Sequence, residues 1–264
     1  MPRKVIVIKI GGSTLGNHDT TLEDLVELQK QGKSVVVVHG GAKVTTEWLA
    51  RLSIPTSFVN GLRVTDAESL KVVAAALGGL VNKELVVAIQ ALGGRAVGLS
   101  GCDANLLWAS VKSPEMGYVG EIAAVDPTVL ALLLKAGYMP VVAPISFGSL
   151  EGRVTLLNVN GDTAAGEIAA ALAAEKLIFL TDVDGIRNGL GQVVPRLNLA
   201  EAKDVLASGA ASGGMIPKIE ASLRALTTTK VVRIINGKVA GALRDDITAK
   251  ARQTKSGGTT IVSE

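Results

Sequence analysis

Two lysines beside paired glycines stand far apart in the chain, with a polar motif between them. Lys9 precedes Gly11-Gly12, Lys218 follows Gly213-Gly214, and the motif Asn-Val-Asn-Gly-Asp spans residues 158–162. Glycines let backbone N–H groups approach phosphate oxygens, and ammonium groups neutralise the charge of a phosphoryl group in transfer. The three motifs together indicate phosphoryl transfer.

The elements that must position these residues alternate between strand and helix. Six short segments are apolar without alternation and rich in β-branched residues, as buried strands are. They are Val5–Ile10, Ser34–His39, Ala96–Leu99, Met139–Ile145, Leu177–Thr181 and Val231–Ile235. Five segments between them have helical composition: Thr21–Gln31, Ala67–Leu92, Pro127–Ala136, Thr163–Ala174 and Leu199–Ser208. The pattern predicts an α/β fold, a three-layer αβα sandwich with a mainly parallel central sheet.

Finer features of this fold follow from turn and cap residues. Asp66, Asp126 and Asp162 stand where helix N-caps are expected. Leu106–Glu121 and Gly148–Asn158 are rich in turn residues, and each predicts a hairpin over the substrate side of the sheet. The sequence has no long polar linker, so we expect a compact boundary between any two lobes.

Glycines follow predicted strands at several points, and ligands bind at the carboxyl ends of strands in open parallel sheets. Gly11-Gly12 follows the first strand, Gly40-Gly41 follows the second, and Gly98 and Gly101 flank the end of a third. One such strand exit is more typical of a tight turn, whereas the repetition indicates that these exits face one cleft. The sequence contains neither G-x-G-x-x-G after its first strand nor G-x-x-x-x-G-K-S/T, which argues against a dinucleotide oxidoreductase and a P-loop enzyme.

Composition excludes several classes of function. The 264 residues are 48% apolar, enough for a sizeable core, and the longest apolar runs fall short of the roughly 20 residues that span a bilayer. A single cysteine and two histidines leave no internal disulfide and no plausible zinc cluster. The net charge of +3 is spread along the chain and aromatics make up only 3%, unlike a nucleic-acid binder. We therefore expect a cytoplasmic protein with a small anionic ligand, and neither nucleic acid nor a membrane as partner.

Eight motifs, in order along nearly the whole chain, resemble the amino-acid kinase family. They are V-I-K-I-G-G, V-V-H-G-G, G-L-R-V-T-D, L-V-N-K-E, G-L-S-G, N-V-N-G-D, T-D-V-D-G-I and S-G-G-M-I-P-K. Within that family the chain is similar to members that phosphorylate N-acetyl-L-glutamate. The resemblance implies ATP-dependent phosphorylation of the side-chain carboxylate of N-acetyl-L-glutamate, the second step of arginine biosynthesis. It also implies an N-terminal lobe, residues 1–174, for substrate binding and dimerisation, and a C-terminal lobe, residues 175–264, for ATP.

The resemblance implies that Lys9 and Lys218 stabilise the charge of the phosphoryl group in transfer, one from each lobe. Asp162 would accept hydrogen bonds from both ammoniums, while Gly11-Gly12 and the helix beginning near Thr163 supply N–H donors. The acceptor carboxylate is ionised at neutral pH, so no general base is required. Taken singly, the same residues are typical of a solvated lysine, a surface lysine and a plain helix N-cap.

Binding roles follow from the same resemblance. For the substrate, Gly40 and Gly41 would offer backbone contacts, Arg63 a planar fork for the α-carboxylate, and Asn158 an amide for the acetamido group or that carboxylate. From the residues alone, an exposed Arg63 paired with Asp66 is the alternative. The nucleotide-binding residues that it implies are Gly11, Gly12, Thr181, Asp182, Gly185, Gly213, Gly214 and Met215. Mg²⁺ is expected to arrive with ATP, held by phosphates and water and not by a protein metal site.

The chain departs from the family's pattern after its second strand. Ala42-Lys43 stands where members commonly have a third glycine and then a proline, so the difference falls on the substrate loop. Lys43 either attracts an acidic substrate or points into solvent from the first turn of a helix. Relatives that act on a carrier-linked aminoadipate or glutamate have similar nucleotide lobes, but G-L-R-V-T-D favours N-acetylglutamate. A catalytically silent nucleotide and amino-acid sensor is the other class of function, and the joint presence of both lysines and Asp162 disfavours it.

The quaternary structure is a further expectation from the resemblance. Arginine-inhibited members carry an extra N-terminal helix that links dimers into hexamers. Here the first strand is expected to begin by about Lys4, which leaves no room for that helix. We therefore predict an arginine-insensitive homodimer whose interface comes largely from Ala67–Leu92. Whether a nitrogen-signalling protein also binds stays open.

Overall fold

The computed structural model describes residues 4–11, 20–248 and 257–263. Its strands, in chain order, are β1 Val5–Ile10, β2 Ser34–His39, β3 Phe58–Val59, β4 Leu62–Arg63, β5 Ala96–Ser100, β6 Leu107–Val111, β7 Gly120–Val125, β8 Met139–Ala143, β9 Ile145–Leu150, β10 Arg153–Asn158, β11 Lys176–Thr181, β12 Arg196–Leu197, β13 Val231–Asn236 and β14 Thr259–Val262. Its α-helices are α1 Thr21–Lys30, α2 Ala42–Arg51, α3 Ala67–Ala74, α4 Asn82–Ala91, α5 Thr128–Lys135, α6 Gly161–Ala171, α7 Leu199–Ala207, α8 Met215–Ala225 and α9 Ala242–Thr248. A π-helical segment, Ala75–Val81, joins α3 to α4, and 3₁₀ turns cover Asp103–Asn105 and Pro114–Met116.

Within these described ranges, eight strands form the central sheet in the order β12-β14-β13-β11-β1-β2-β8-β5. The strands from β13 to β5 run parallel, while β14 pairs antiparallel with β13. Strands covered by helices on both faces are short and continuously apolar, and β1 is buried along its whole length. The predicted α/β fold with a mainly parallel sheet is confirmed.

Side chains of β1 alternate between the two faces of this sheet. Ile6, Ile8 and Ile10 belong to the core that includes α1, α4 and α9, whereas Val5 and Val7 belong to the core that includes α5, α6 and α8. Lys9 has the parity of the two valines, so its side chain lies on the α6 face. This alternation directs the one charged residue of β1 toward the helix that carries Asp162.

A second sheet of four strands has the order β10-β9-β6-β7. Both outer pairs are antiparallel, so the hairpins predicted within Leu106–Glu121 and Gly148–Asn158 are present, and β6 pairs with β9 in parallel to join them. The second sheet begins where β5 and β8 end. It therefore stands at the carboxyl edge of the central sheet, and its last strand, β10, leads directly into α6.

Two predicted elements are interrupted. The segment Met139–Ile145 is wrong as a single strand, because β8 ends at Ala143 and β9 begins at Ile145. Pro144 lies between them and has no N–H to continue a ladder. The predicted helix Ala67–Leu92 begins at Ala67, where Asp66 Oδ1 accepts the Ser69 N–H at 2.7 Å, but the π-helical segment divides it.

Two of the three predicted N-caps are wrong. Pro127 occupies the cap position of α5, and Asp126 instead accepts the N–H of Thr128 at 3.0 Å. Asn160 caps α6, which begins at Gly161, before the predicted start at Thr163. The sequence pattern also missed α8, where Pro217 suggests a break, although proline is tolerated in the first turn of a helix.

Taken together, α3, the π-helical segment and α4 form a helix, Ala67–Ala91, that is long and apolar enough, by length and composition alone, to cross a membrane. The uninterrupted apolar runs of the sequence do not predict this property, because polar residues interrupt the helix. Core helices of soluble proteins pass the same test, and 44% of its most apolar window is buried in this structure. Leu85 and Ile89 pack into the core that includes α1 and α9, whereas Val73 and Leu77 form a smaller cluster with Ala143 and Ile145.

Candidate active site

Asp162 lies between the ammonium groups of Lys9 and Lys218. Lys9 Nζ is 2.8 Å from Asp162 Oδ1, and Lys218 Nζ is 3.1 Å from Oδ2. The second contact is also a hydrogen bond from Lys218, and the first is the shorter of the two ion pairs. The side chains of Lys9, Asp162 and Lys218 are 9%, 6% and 12% exposed. β1, α6 and α8 thus bring these charges together almost out of water.

Asn160 leaves the Asp162 carboxylate available to the lysines, because Asn160 itself caps α6. Its Oδ1 accepts the N–H groups of Asp162 and Thr163 at 2.8 and 3.1 Å. These two N–H groups are therefore engaged within the protein, although the helix start was predicted to offer donors to a phosphate. Asp162 lies in the first turn of α6, where the helix dipole favours a negative charge.

The electrostatics of this cluster favour an anion. Burial alone would raise the pKa of Asp162, but the ammoniums of Lys9 and Lys218 together outweigh it and hold that pKa below its usual value. Two ammoniums and one carboxylate leave a surplus of one positive charge. In a site shielded from water, this surplus attracts and stabilises negative charge such as that of a phosphoryl group.

A cavity of about 320 Å³ opens beside Lys218 at the carboxyl end of β11. It is lined by Thr181, Asp182, Val183, Gly185, Ile186, Arg187, Ala210, Ala211, Ser212, Gly214, Met215 and Lys218. Most of the predicted nucleotide-binding residues therefore meet in one place, and Gly213 adjoins it in the chain. The Gly11 N–H instead donates to the Leu180 carbonyl at 3.2 Å, and Gly12 lies outside the described residues.

A smaller cavity of about 130 Å³ lies where β2 and β10 end. The four predicted substrate-binding residues, Gly40, Gly41, Arg63 and Asn158, all line it, together with apolar side chains such as Phe58, Leu77 and Val159. Gly161 also lines it, and a Cβ added there would be 3.6 Å from Lys9 Cε. The small cavity therefore ends beside Lys9, while the 320 Å³ cavity ends at Lys218. Gly98 and Gly101 do not line it, so the third glycine exit does not join this cleft.

Arg63 is buried and does not pair with Asp66. Its Nη2 donates to the Thr46 hydroxyl at 2.7 Å and to the Ala42 carbonyl at 3.2 Å. Its guanidinium carbon lies 4.7 Å from the centre of the Phe58 ring. Burial lowers the pKa of Arg63, which still leaves the guanidinium charged at neutral pH. These contacts hold the fork at the cavity wall and leave its charge without a carboxylate partner among the described residues.

The loop Gly40-Gly41 presents backbone donors opposite this arginine. The Gly40 N–H donates to the Ile10 carbonyl at 2.9 Å, whereas the Gly41 N–H has no hydrogen-bond partner in the described ranges. Gly41 precedes α2, whose first turn has no side-chain cap. An uncapped helix N-terminus and a free N–H form a favourable site for a carboxylate. Ala42 and Lys43 are exposed, in keeping with the reading in which Lys43 points into solvent.

Asn158, at the end of β10, donates from Nδ2 to the Thr65 hydroxyl at 3.0 Å. Sequence reasoning missed Thr65, and also Thr46 and Asn160, because a lone threonine or asparagine carries no signal until its partner is known. The motifs V-V-H-G-G and L-V-N-K-E contain two further polar residues, His39 and Asn82, whose roles do not follow from the sequence.

Cavity size alone does not identify the site. A cavity of about 770 Å³ lies among residues at the amino ends of β2 and β8, at the opposite edge of the sheet from Lys9 and Asp162. Another of about 1040 Å³ adjoins the small cavity, with which it shares Leu62, Val119 and Asn160.

The cluster does not fit a protein-bound Mg²⁺. Asp162 already faces two ammoniums, whose charge repels a divalent cation. The described part of the chain contains no group of three or more His, Cys, Asp or Glu residues arranged to hold a metal ion.

Comparison with known proteins identifies relatives along almost the whole chain. Residues 4–236 match the model of the Amino acid kinase family. An acetylglutamate kinase from Dehalococcoides mccartyi strain 195 is 41% identical over 263 residues, 98% of this chain and 95% of that protein. An acetylglutamate kinase from Jannaschia sp. is 44% identical over 243 residues, 90% of this chain and 84% of that protein. The solved structure of N-acetylglutamate synthase from Neisseria gonorrhoeae, with coenzyme A and N-acetyl-glutamate bound, superposes with a TM-score of 0.82 at 27% identity, over 99% of this chain and 60% of that one.

Proposed function

Since this chain belongs to the amino acid kinase family, we propose that it phosphorylates the side-chain carboxylate of N-acetyl-L-glutamate with ATP, the second step of arginine biosynthesis. One observation carries the proposal: a single carboxylate, Asp162, holds two buried ammoniums that border two different cavities. A phosphoryl group transferred from one cavity to the other would pass beside both ammonium groups.

The transfer needs little covalent help from the protein. A carboxylate oxygen of the substrate forms a bond to the γ-phosphorus, and the bond from that phosphorus to the β–γ bridging oxygen breaks. The electron pair leaves with ADP, and the product is an acyl phosphate. No proton moves, because a glutamate side chain has a pKa near 4.3 and is ionised at neutral pH. The remaining task is positioning and charge stabilisation.

Lys9 and Lys218 would supply that stabilisation from opposite sides of the phosphoryl group. Asp162 keeps both ammoniums in place before the reaction, so no reorganisation is needed as charge moves from the leaving to the attacking oxygen. The Lys9 ammonium has three N–H donors, so its contact with Asp162 leaves others that could donate to a phosphoryl oxygen. Asp162 acts here as an organiser of the lysines and not as a base.

The small cavity suits the acceptor. Arg63 and the Gly41 N–H would bind the α-carboxylate, Gly40 would line the loop, and Asn158 would contact the acetamido group or that carboxylate. In the larger cavity, Thr181, Asp182, Gly185, Gly214 and Met215 would contact ATP, with Gly11, Gly12 and Gly213 adjoining. Mg²⁺ would come with ATP, bound to its phosphates and to water.

The wider organisation is also proposed. Residues 1–174 would form the substrate lobe and residues 175–264 the ATP lobe, although one sheet continues from β2 through β1 to β11. We propose a cytoplasmic homodimer joined through the helix Ala67–Ala91.

The function is tested by ATP turnover with N-acetylglutamate, glutamate, aspartate and aminoadipate derivatives, with the acyl phosphate trapped by hydroxylamine. We expect selective product from N-acetylglutamate. Lys9→Ala should lower kcat by about 100- to 1000-fold, the effect of removing one preorganised charge-stabilising group. The matched control is Lys4→Ala, since Lys4 makes an exposed ion pair with Glu175 away from both cavities and from the helix Ala67–Ala91.

Two results would count against this function. Product from another acceptor alone would reassign the substrate. ATP binding without turnover of any acceptor would favour a sensor.

A further inference from the structure

His39 is buried at the end of β2, next to the loop that lines the acceptor cavity, and its imidazole is held from both sides. Nδ1 lies 2.8 Å from the Gly40 carbonyl oxygen, and Nε2 lies 3.1 Å from Asn82 Nδ2. Gly40 belongs to the glycine loop that follows β2. Asn82 is the first residue of α4 and is fully buried. None of the catalytic steps above uses either side chain.

The hydrogen-bond partners of His39 determine which of its two ring nitrogens carries the proton. Asn82 Nδ2 also lies 2.9 Å from the Val141 carbonyl and 3.2 Å from the Leu99 carbonyl, so the amide nitrogen, and not the amide oxygen, faces this side. The Gly40 carbonyl can only accept a hydrogen bond, so His39 Nδ1 carries the proton and donates to it. The ring is then the neutral Nδ1–H tautomer, and its Nε2 accepts from Asn82 Nδ2, whose two N–H groups are shared among His39 and the two carbonyls.

This hydrogen bond determines where the next N–H points. The peptide between Gly40 and Gly41 is planar and trans, so its carbonyl and the Gly41 N–H point in opposite directions. With the carbonyl held by His39, the N–H of Gly41 is turned away from the imidazole. This N–H has no hydrogen-bond partner in the described ranges, and Gly41 lines the acceptor cavity. Two consecutive glycines would otherwise let this peptide rotate readily.

The π-helical segment supports the same loop from behind. A Cβ on Gly41 would come 2.5 Å from Leu77 Cδ2 and 3.3 Å from Val81 Cγ2, both in Ala75–Val81. The segment ends immediately before Asn82, so the extra residue that it accommodates sets where the Asn82 amide lies relative to His39. Lys83 Nζ, on the next residue, donates to Asn82 Oδ1 at 3.1 Å and completes the amide's hydrogen bonds.

We propose that His39 and Asn82 are positioning residues for the acceptor: Asn82 orients the imidazole, and the imidazole fixes the Gly40–Gly41 peptide so that the Gly41 N–H faces the substrate carboxylate. The inference rests on the proposed function for the identity of that carboxylate. Neither side chain touches the reacting atoms, so their effect is on acceptor binding and not on ATP.

Burial keeps the ring in the required state. Burial is the largest cause that lowers the pKa of His39 to about 4; the positive charges of Lys9 on β1 and Lys83 on α4 also lower it, and the Gly40 hydrogen bond raises it. At neutral pH the imidazole is therefore uncharged, with one donor and one acceptor as the geometry needs.

The test compares two substitutions of His39, one that can keep the hydrogen bond of Nδ1 and one that can keep the hydrogen bond of Nε2. In His39→Asn the side-chain NH₂ can occupy the place of Nδ1 and still reach the Gly40 carbonyl. In His39→Gln the amide reaches the place of Nε2 and leaves that carbonyl without its donor. We expect His39→Gln to raise the KM for N-acetylglutamate by about tenfold, the equivalent of one hydrogen bond to a charged group, and to leave the KM for ATP within about twofold. His39→Asn should restore most of the acceptor affinity.

Ile89→Val is the control for lost stability, because it removes a buried methyl group from the same helix two turns beyond Asn82. It should change neither KM. Equal KM values for N-acetylglutamate in His39→Asn and His39→Gln would overturn the proposal, as would a parallel rise in the KM for ATP.

Imidazole ¹⁵N NMR provides a readout that is independent of turnover. The chain has only two histidines, His18 and His39, so histidine-selective labelling yields two rings, which the His39→Asn spectrum assigns. We expect His39 to be protonated at Nδ1 and not at Nε2 throughout pH 5.5–8. A His39 ring protonated at Nε2 would refute the assignment even in a protein that turned over N-acetylglutamate. Conversely, a correct tautomer in a protein inactive on every acceptor would reject the proposed function alone.

Discussion

His39 has a consequence for stability that is separate from substrate binding. Its pKa is about 4 in the folded protein, against 6.5 for an ordinary histidine. Between these values the unfolded chain binds a proton that the folded chain does not, so protonation favours unfolding. The stabilising effect of a neutral His39 is complete above about pH 6.5 and is lost as the pH falls through 4.

We therefore predict that lowering the pH from 7 to 4.5 reduces the free energy of unfolding of the wild type by roughly 2 to 3 kcal/mol more than that of His39→Asn. Urea denaturation at a series of pH values measures this difference. Asp162, whose pKa is lowered, destabilises both proteins at acid pH and cancels in the comparison. Parallel pH profiles for the two proteins would contradict a buried neutral His39.

The residues of the candidate site can be predicted from the sequence only in part. The lysines and Asp162 were singled out because charged groups beside glycines, in a matched series of motifs, have few structural explanations. The cap of α6 was assigned wrongly to Asp162, since Asn160 and Asp162 are both good N-cap residues only two positions apart. The difference matters chemically, because a carboxylate engaged in capping would be less available to two ammoniums.

At the scale of elements, α6 and α8 cross closely enough to set the distance between Asp162 and Lys218. A Cβ on Gly166 would lie 2.6 Å from the Ala221 carbonyl oxygen and 2.9 Å from its Cβ. Backbone atoms cannot yield as a flexible side chain can. Gly166 therefore permits the close approach of the two helices that carry the ion pair.

Gly166→Ala should push α8 away from α6. We expect a loss of about 1–3 kcal/mol in the free energy of unfolding, as in other overpacked cores, and a fall in kcat of about tenfold or more as Lys218 moves from Asp162. Thermal denaturation and steady-state kinetics measure both. Gly189→Ala is the matched control, because nothing lies within 4 Å of a Cβ at that exposed position. An unaltered kcat in a destabilised Gly166→Ala would separate helix packing from Lys218 placement.

The bounds of helices and strands are predicted best for buried strands with a continuous apolar sequence. Buried strands such as Val5–Ile10 and Ser34–His39 have the bounds expected, since a continuous β-branched run between polar residues has few alternatives. The long helix was predicted as regular, whereas Ala75–Val81 is π-helical. Local pattern does not reveal such a segment, and its residues Leu77 and Val81 lie against Gly41, in a loop distant in sequence.

The whole molecule leaves one helix face without an intramolecular partner in the described ranges. Val87 is 62% exposed on the helix Ala67–Ala91, and nothing lies within 4 Å of a Cβ built at Gly78 or Gly79. Small residues beside an apolar side chain allow another helix to approach closely. This is the face that we propose joins two copies of the chain.

Val87→Glu should convert the dimer to a monomer, because two carboxylates would be buried without partners across a symmetric interface. Light scattering measures the mass. Val154→Glu places the same charge on β10, where Val154 is 70% exposed, and should leave the dimer intact. A hexameric mass for the wild type, or inhibition by millimolar arginine, would contradict an arginine-insensitive dimer.

The sequence by itself determined the α/β fold class, most of the succession of buried strands and helices, and the three charged residues, Lys9, Asp162 and Lys218, of the candidate site. These follow from local information: composition, periodicity and the order of short motifs. Only the tertiary structure decided that Lys9 faces α6, that Asn160 frees Asp162, that Arg63 is held by Thr46 and the Ala42 carbonyl, and that His39 and Asn82 orient the glycine loop. Each of these depends on a contact between residues far apart in the chain, and the partner of a buried polar group is selected by packing, which local sequence does not encode.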